Sequence, residues 1–166
     1  MASTAHSTHL PPLGTHQRDE VGQQLQALLV ELVDLSLLGK QLHWAVVGPL
    51  FRPLHEQLDE LTDSWRELGD IVAERAVALG FIPDGQSGTV AADTPVLPVG
   101  RGELEDHVVV RELTSRLADT AERTRERMDR LGELDAASQD VVIQVLRALE
   151  EQVWMIRAQF PDAHRR

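Results

Sequence analysis

Histidine and carboxylate residues recur at helical spacing near the middle of this 166-residue chain. His55 and Asp59 stand four residues apart, and so do Asp70 and Glu74. Side chains at i and i+4 share one helix face and can approach one ion together. With about 100° of rotation per residue, Asp59 lies about 40°, Asp70 about 60° and Glu74 about 100° round from His55. All four share one stripe, yet Asp59 and Asp70 are separated by about 16 Å along the axis. One chain cannot bring both pairs to one ion. The pairs are, however, symmetric about the midpoint between Ser64 and Trp65. A second copy of the helix, antiparallel across a two-fold axis there, sets His55 and Asp59 opposite the partner's Asp70 and Glu74. Two equivalent sites then lie in one isologous interface. His43 is the fifth candidate ligand, because the chain reverses at Gly48-Pro49 and returns it towards His55.

Two imidazoles and three carboxylates without sulfur suit Fe(II), with Zn, Mn and Co as competitors, and carboxylates also stabilise Fe(III). The blander alternative is a solvated helix face on which Asp70 and Glu74 pair with Arg66 or Arg75, a bond of small worth.

Composition narrows the chemistry further. There is no cysteine, which removes thiolate zinc sites, iron–sulfur clusters and cysteine nucleophiles. The 27 acidic and 16 basic residues give a net charge of −11, and Lys40 is the only lysine. Such a balance argues against generic binding to nucleic acid or anionic membrane and suits a protein that attracts cations. No stretch reaches 18 uncharged apolar residues, so no membrane span is expected. Residues 1–9 lack the basic start and apolar run of a secretory signal, which makes the cytoplasm the expected compartment.

The elements that must position these residues read as helices. Residues 1–16 are small, polar and Pro-containing, and are expected to form a flexible tail. From Asp19, Val21, Leu25, Leu28, Leu32, Leu35 and Leu42 follow a 3.6 period. Val30, Val33 and Leu37 add a second apolar stripe, so this helix needs cover on two sides, one of them from a partner subunit. A second helix is expected from about Pro53 to Gly80, with Leu54, Leu58, Leu61, Leu68 and Ile71 inward. Residues 81–101 are rich in Gly and Pro and form a long loop with room for one short helical turn. A third helix is expected from Gly102–Glu103 to Gly132, and a fourth, capped by Ser138, continues to Pro161. No strand is expected. The fold class is all-α: a four-helix bundle over 17–160 with one long crossover and a short C-terminal tail at 161–166.

The segment Lys40-Gln-Leu-His43-Trp44-Ala-Val-Val-Gly48-Pro-Leu-Phe51-Arg-Pro-Leu-His55-Glu-Gln-Leu-Asp59, followed by Asp70-Ile-Val-Ala-Glu74-Arg75, resembles the Dps family. These are the DNA-binding proteins from starved cells, or mini-ferritins, of the ferritin-like superfamily. The resemblance implies a di-iron ferroxidase site made of His43, His55 and Asp59 with the partner's Asp70 and Glu74, and Zn(II) able to substitute for iron. It implies a homododecamer built from two-fold dimers, which oxidises Fe(II) with hydrogen peroxide, stores ferric mineral and protects against oxidative damage. It also raises the alternative of a non-enzymatic, nucleoid-associated DNA-compacting protein. Ordinary ferritins carry a Glu-x-x-His pair within each bundle, and this chain has none.

Several further residues have expected roles. Trp44, Trp65 and Trp154 are expected to pack, with radical quenching open to the first two. The run from Glu122 to Arg130 interleaves its arginines with carboxylates and reads as a solvated face with pairs such as Glu126–Arg130. His6, His9 and His16 lie in a tail without the lysines of DNA-binding relatives. Glu133, Asp135 and Asp140 fall where the family lines acidic three-fold pores.

Overall fold

A leucine at nearly every inward position builds α1, Thr15–Ala45. The computed structural model describes residues 10, 11 and 13–159. Val21, Leu25, Leu28, Leu32, Leu35 and Leu42 are all buried, as their period requires. The helix starts at Thr15, ahead of Asp19, so the expected tail lies mainly on residues outside the described ones.

Pro53 falls in the first turn of α2, Phe51–Ala78, where its missing N–H has no intrahelical partner to lose. Leu54, Leu58, Leu61 and Leu68 face inward. Beyond Gly80 the crossover holds one short helix, α3, Ser87–Asp93, packed against α1. The pair α4, Asp106–Gly132, and α5, Ala136–Arg157, completes the bundle. α1 packs on α2 and α4 on α5, and the two hairpins close over one core. The fold is the expected all-α four-helix bundle with a long connection between its second and third long helices.

Four expectations need correction. Among the described residues there is one short parallel pairing: β1, Val46–Val47, against β2, Leu104–Glu105. It forms because both segments leave helical geometry side by side, and backbone groups buried there need partners. Ser138 is not the cap of α5. Asp135 is, accepting from the Ser138 amide at 3.0 Å, while Ser138 is buried inside the first turn. α4 begins at Asp106, after β2, because Gly102 at φ 93° and the pairing hold the preceding residues out of the helix. Trp154 is not core: it is 63% exposed on α5, because Ile156 and Leu149 take the inward positions.

By length and hydropathy α1 passes the test for a membrane-crossing helix. Most of its apolar window is buried against α2, α3 and α4 instead, so the helix needs no bilayer to cover it. Its one buried charge, Glu31, is held by Arg123 and Arg127 of α4. Glu31→Ala should therefore cost about 3 kcal/mol, the low end for breaking a buried pair, because Arg123 keeps access to water. Urea unfolding with an unchanged midpoint would show the three charges to be uncoupled.

Candidate metal centre

His43 sits in the last turn of α1 and His55 one turn into α2, across the reversal at residues 46–50. Their rings stack with centroids 3.5 Å apart and planes inclined by 22°. Each is locked by the other's backbone. The Nδ1 of His43 lies 2.9 Å from the His55 carbonyl, and the Nδ1 of His55 lies 3.0 Å from the His43 carbonyl. A carbonyl can only accept, so each Nδ1 carries a hydrogen and donates it. In the neutral rings both Nε2 atoms are then left with free lone pairs. This is how ligating histidines are oriented: a backbone acceptor fixes the tautomer and the ring. The His43 carbonyl is also one of the acceptors that the end of α1 leaves without a helical partner.

Asp59 lies one turn beyond His55, with Oδ1 3.2 Å from the His43 Nδ1. The same oxygen accepts from the Lys40 ammonium. That hydrogen bond holds the Asp59 carboxyl below the ordinary carboxylate range, with desolvation opposing it and the charge of Lys40 adding to it. The spacing of ligand types gave no hint of Lys40. Its position three residues before His43, on the same face of α1, is the signal that could have found it. Phe51 packs against His55 with centroids 5.0 Å apart. Trp44 is 71% exposed, so it does not pack within this chain as expected, and Lys40 approaches its ring.

Asp70 and Glu74 lie further along α2 and are exposed. The blander alternative gave them Arg66 and Arg75, and neither pairing forms. Arg66 turns to Asp63 at 3.4 Å, and Arg75 to Asp135 at 2.6 Å and Ser138 at 2.9 Å. Among the described residues, Asp70 and Glu74 have no ion-pair partner. Asp70 borders an open groove lined by Leu29, Val33, Leu37 and Ala73, the second apolar stripe of α1 among them. One chain thus brings His43, His55 and Asp59 together and leaves Asp70 and Glu74 apart. No ready-made cluster of three metal donors forms among the described residues.

The ferritin-like domain family matches residues 22–165 of this chain. The DNA protection during starvation protein of Mycolicibacterium smegmatis is 33% identical over 93% of this chain and 84% of its own length. The fine tangled pili major subunit of Haemophilus ducreyi is 35% identical over 87% of this chain and 76% of its own. In three dimensions, Mycobacterium smegmatis Dps superposes with a TM-score of 0.87 at 32% identity, covering 90% of this chain and 92% of the other. Dps from Microbacterium arborescens in its high iron form gives 0.86 at 28% identity, covering 92% and 99%. The chain belongs to the Dps family of ferritin-like proteins.

The arginines of α4 bear on this Dps-family surface. Arg116 pairs with Glu112, Arg125 with Glu150, and Arg130 with Glu20 and Glu133. Arg123 and Arg127 share Glu31, so each of these guanidiniums contacts a carboxylate. The expected Glu126–Arg130 pair does not form; Arg130 reaches across to α1 instead. Asp135 is also committed, to the start of α5 and to Arg75. Hydrogen bonds from Ser138 and Arg75 outweigh its desolvation and hold its carboxyl below the ordinary range.

Proposed function

We propose that this chain is a Dps-type ferroxidase and iron-storage protein. Fe(II) is its substrate, hydrogen peroxide the oxidant, and the ferric product accumulates inside a hollow homododecamer. The observation that carries this reading is the reciprocal locking of His43 and His55. It fixes both rings in the tautomer that leaves Nε2 free, with the Asp59 carboxylate against His43, a donor set suited to Fe(II). Asp70 and Glu74 have no ion-pair partner among the described residues, and Asp70 borders an uncovered apolar groove. That supports a site completed across a two-fold dimer, where they serve as the second set of carboxylates.

The chemistry asked of the protein is modest. Two Fe(II) ions each give one electron to one peroxide, whose O–O bond breaks to give oxygen at the oxidation level of water. Holding both ions at one site keeps the two transfers coupled, so hydroxyl radical is not released. The carboxylates favour Fe(III) over Fe(II), and the negative charge of the shell draws further Fe(II) in. Lys40 donates to Asp59, so an arriving ion must displace its ammonium.

A second reading follows from the name of the Mycolicibacterium relative: protection of DNA by direct contact. The pairing of the α4 arginines and the net charge of −11 speak against a basic DNA-binding face among the described residues. Protection by consuming Fe(II) and peroxide needs no such face. A gel shift at physiological salt separates the two readings, since phosphate contacts weaken steeply with salt.

The direct test is anaerobic addition of Fe(II) and peroxide to wild type, His43→Ala and Asp59→Ala, followed by the absorbance of the ferric product. Both variants should oxidise Fe(II) at least about a hundred-fold more slowly, the upper range for disturbing a metal centre. Equal rates in all three would remove the site assignment.

A further inference from the structure

The histidine pair depends on a backbone reversal that its own residues cannot hold. Residues 46–50 must bring the end of α1 and the start of α2 close enough for two imidazole–carbonyl bonds. α2 has no side-chain cap of its own: its N-cap position is Leu50, and the part-buried Leu50 amide needs an acceptor. That acceptor comes from a distant part of the chain. Asp106, the first residue of α4, accepts from the Leu50 amide at 2.8 Å through Oδ2. Its Oδ1 accepts from the His107 amide at 2.7 Å.

The carboxylate is only 6% exposed. Among the described residues no Lys or Arg lies within 4.0 Å of it; the nearest basic side chain is that of His107, whose Nδ1 lies 4.0 Å away and which is largely exposed. A buried carboxylate without a firm counterion is stable here because it faces the N-termini of two helices, where amides and dipoles favour negative charge. Two neighbours complete the latch. Gly48 has φ 118°, and a Cβ there would stand 2.8 Å from the Asp106 Oδ2, so only glycine lets the reversal approach this closely. β1 pairs with β2 directly before Asp106 and holds the other end of the reversal.

We propose that Asp106 is a positioning residue for the candidate metal centre, fixing the register of α1 against α2 on which both His43 and His55 depend. It touches neither imidazole. The inference rests on the proposed ferroxidase reading for its function, but the geometry it predicts can be tested without metal. Loss of the carboxylate leaves the Leu50 amide without its acceptor, and the start of α2 moves to find another. A small shift there breaks both Nδ1–H bonds, because each spans the two helices.

Two measurements on the full-length protein test this. The first is Co(II) binding, read by visible absorption. The second is exchange of the histidine Cε1 hydrogens in metal-free protein, read by mass spectrometry, which reports how firmly each ring is held. Asp106→Ala should weaken Co(II) binding at least ten-fold and speed exchange at His43 and His55 at least three-fold, with Asp106→Asn between it and wild type. Glu31→Ala breaks a buried ion pair about 18 Å along α1 from His43 and controls for general loss of stability. It should leave both readouts at wild-type values. Wild-type Co(II) affinity and wild-type exchange in Asp106→Ala overturn the proposal. Should that variant not fold, the same result in Asp106→Asn does so. His43→Ala separates the layers. If it loses Co(II) while Asp106→Ala does not, the positioning role fails alone. If it keeps Co(II), the site reading fails, and the exchange measurement still decides whether Asp106 holds the rings.

Discussion

Co-expressed Asp59→Ala and Asp70→Ala chains, each inactive alone, should together recover about a quarter of the wild-type rate of Fe(II) oxidation. The figure follows from two-fold symmetry. With random pairing about half of the dimers are mixed. In each mixed dimer one site inherits both defects and the other inherits neither, so one site of two is whole. Asp59→Ala combined with His43→Ala should recover nothing, because both defects fall on the same side of every site. This contrast makes the experiment decisive. A site built within one chain would give no recovery from either mixture, and a measured absence of recovery in the first would remove the shared-site geometry. The single-variant losses should be severe for a further reason. Asp59→Ala also frees the Lys40 ammonium beside the imidazole pair, where it repels an approaching cation.

The largest effect on stability is expected at Trp65. Its ring is fully buried, and its indole N–H donates to Gln152 Oε1 at 2.8 Å. Gln152 in turn donates to Ser64 at 3.2 Å, joining α5 to α2. On the other side the ring lies against α1 where Gly39 has no side chain; a Cβ there would come within 2.6 Å of the Trp65 Cζ3. Helix backbone cannot fill the space that the ring leaves. Trp65→Ala should therefore cost about 3–5 kcal/mol, as for other buried aromatic truncations. Trp65→Phe keeps most of the buried surface and loses the bond to Gln152, so about 1 kcal/mol beyond the change in volume is expected. Urea unfolding at fixed protein concentration reads both. A cost below about 1 kcal/mol for Trp65→Ala would mean that the core collapses around the site, contrary to the contact with Gly39.

Much of this was legible in the chain. The leucine period of α1 and α2 survives folding almost residue for residue, because a helix buries whatever its 3.6 period places on one face. The symmetry of His55, Asp59, Asp70 and Glu74 about residues 64–65 is likewise a property of spacing. It led to the prediction that one chain holds half a site. The placement of Asp70 and Glu74, exposed and free of Arg66 and Arg75, is what that prediction needs. Elsewhere the periodicity misled. Trp154 is expected to pack, whereas Leu149 and Ile156 fill the inward positions of α5 and turn it outward. Ser138 was a sound choice by type, but Asp135 comes three residues earlier and caps the helix with a full charge.

What the sequence determined alone is the set of parts: four long helices, five candidate metal donors, no sulfur, and an acidic chain with a single lysine. Those features depend on composition and on spacing along one helix, and both are local. What only the tertiary structure decided is how the parts are held. The Lys40–Asp59 pair, the exchange of imidazole N–H bonds between His43 and His55, and the carboxylate of Asp106 under the Leu50 amide all join residues on different elements. The Asp106 contact spans fifty-six positions. No periodicity encodes such contacts. They arise because buried donors and charges must find partners wherever the packing of the helices brings them.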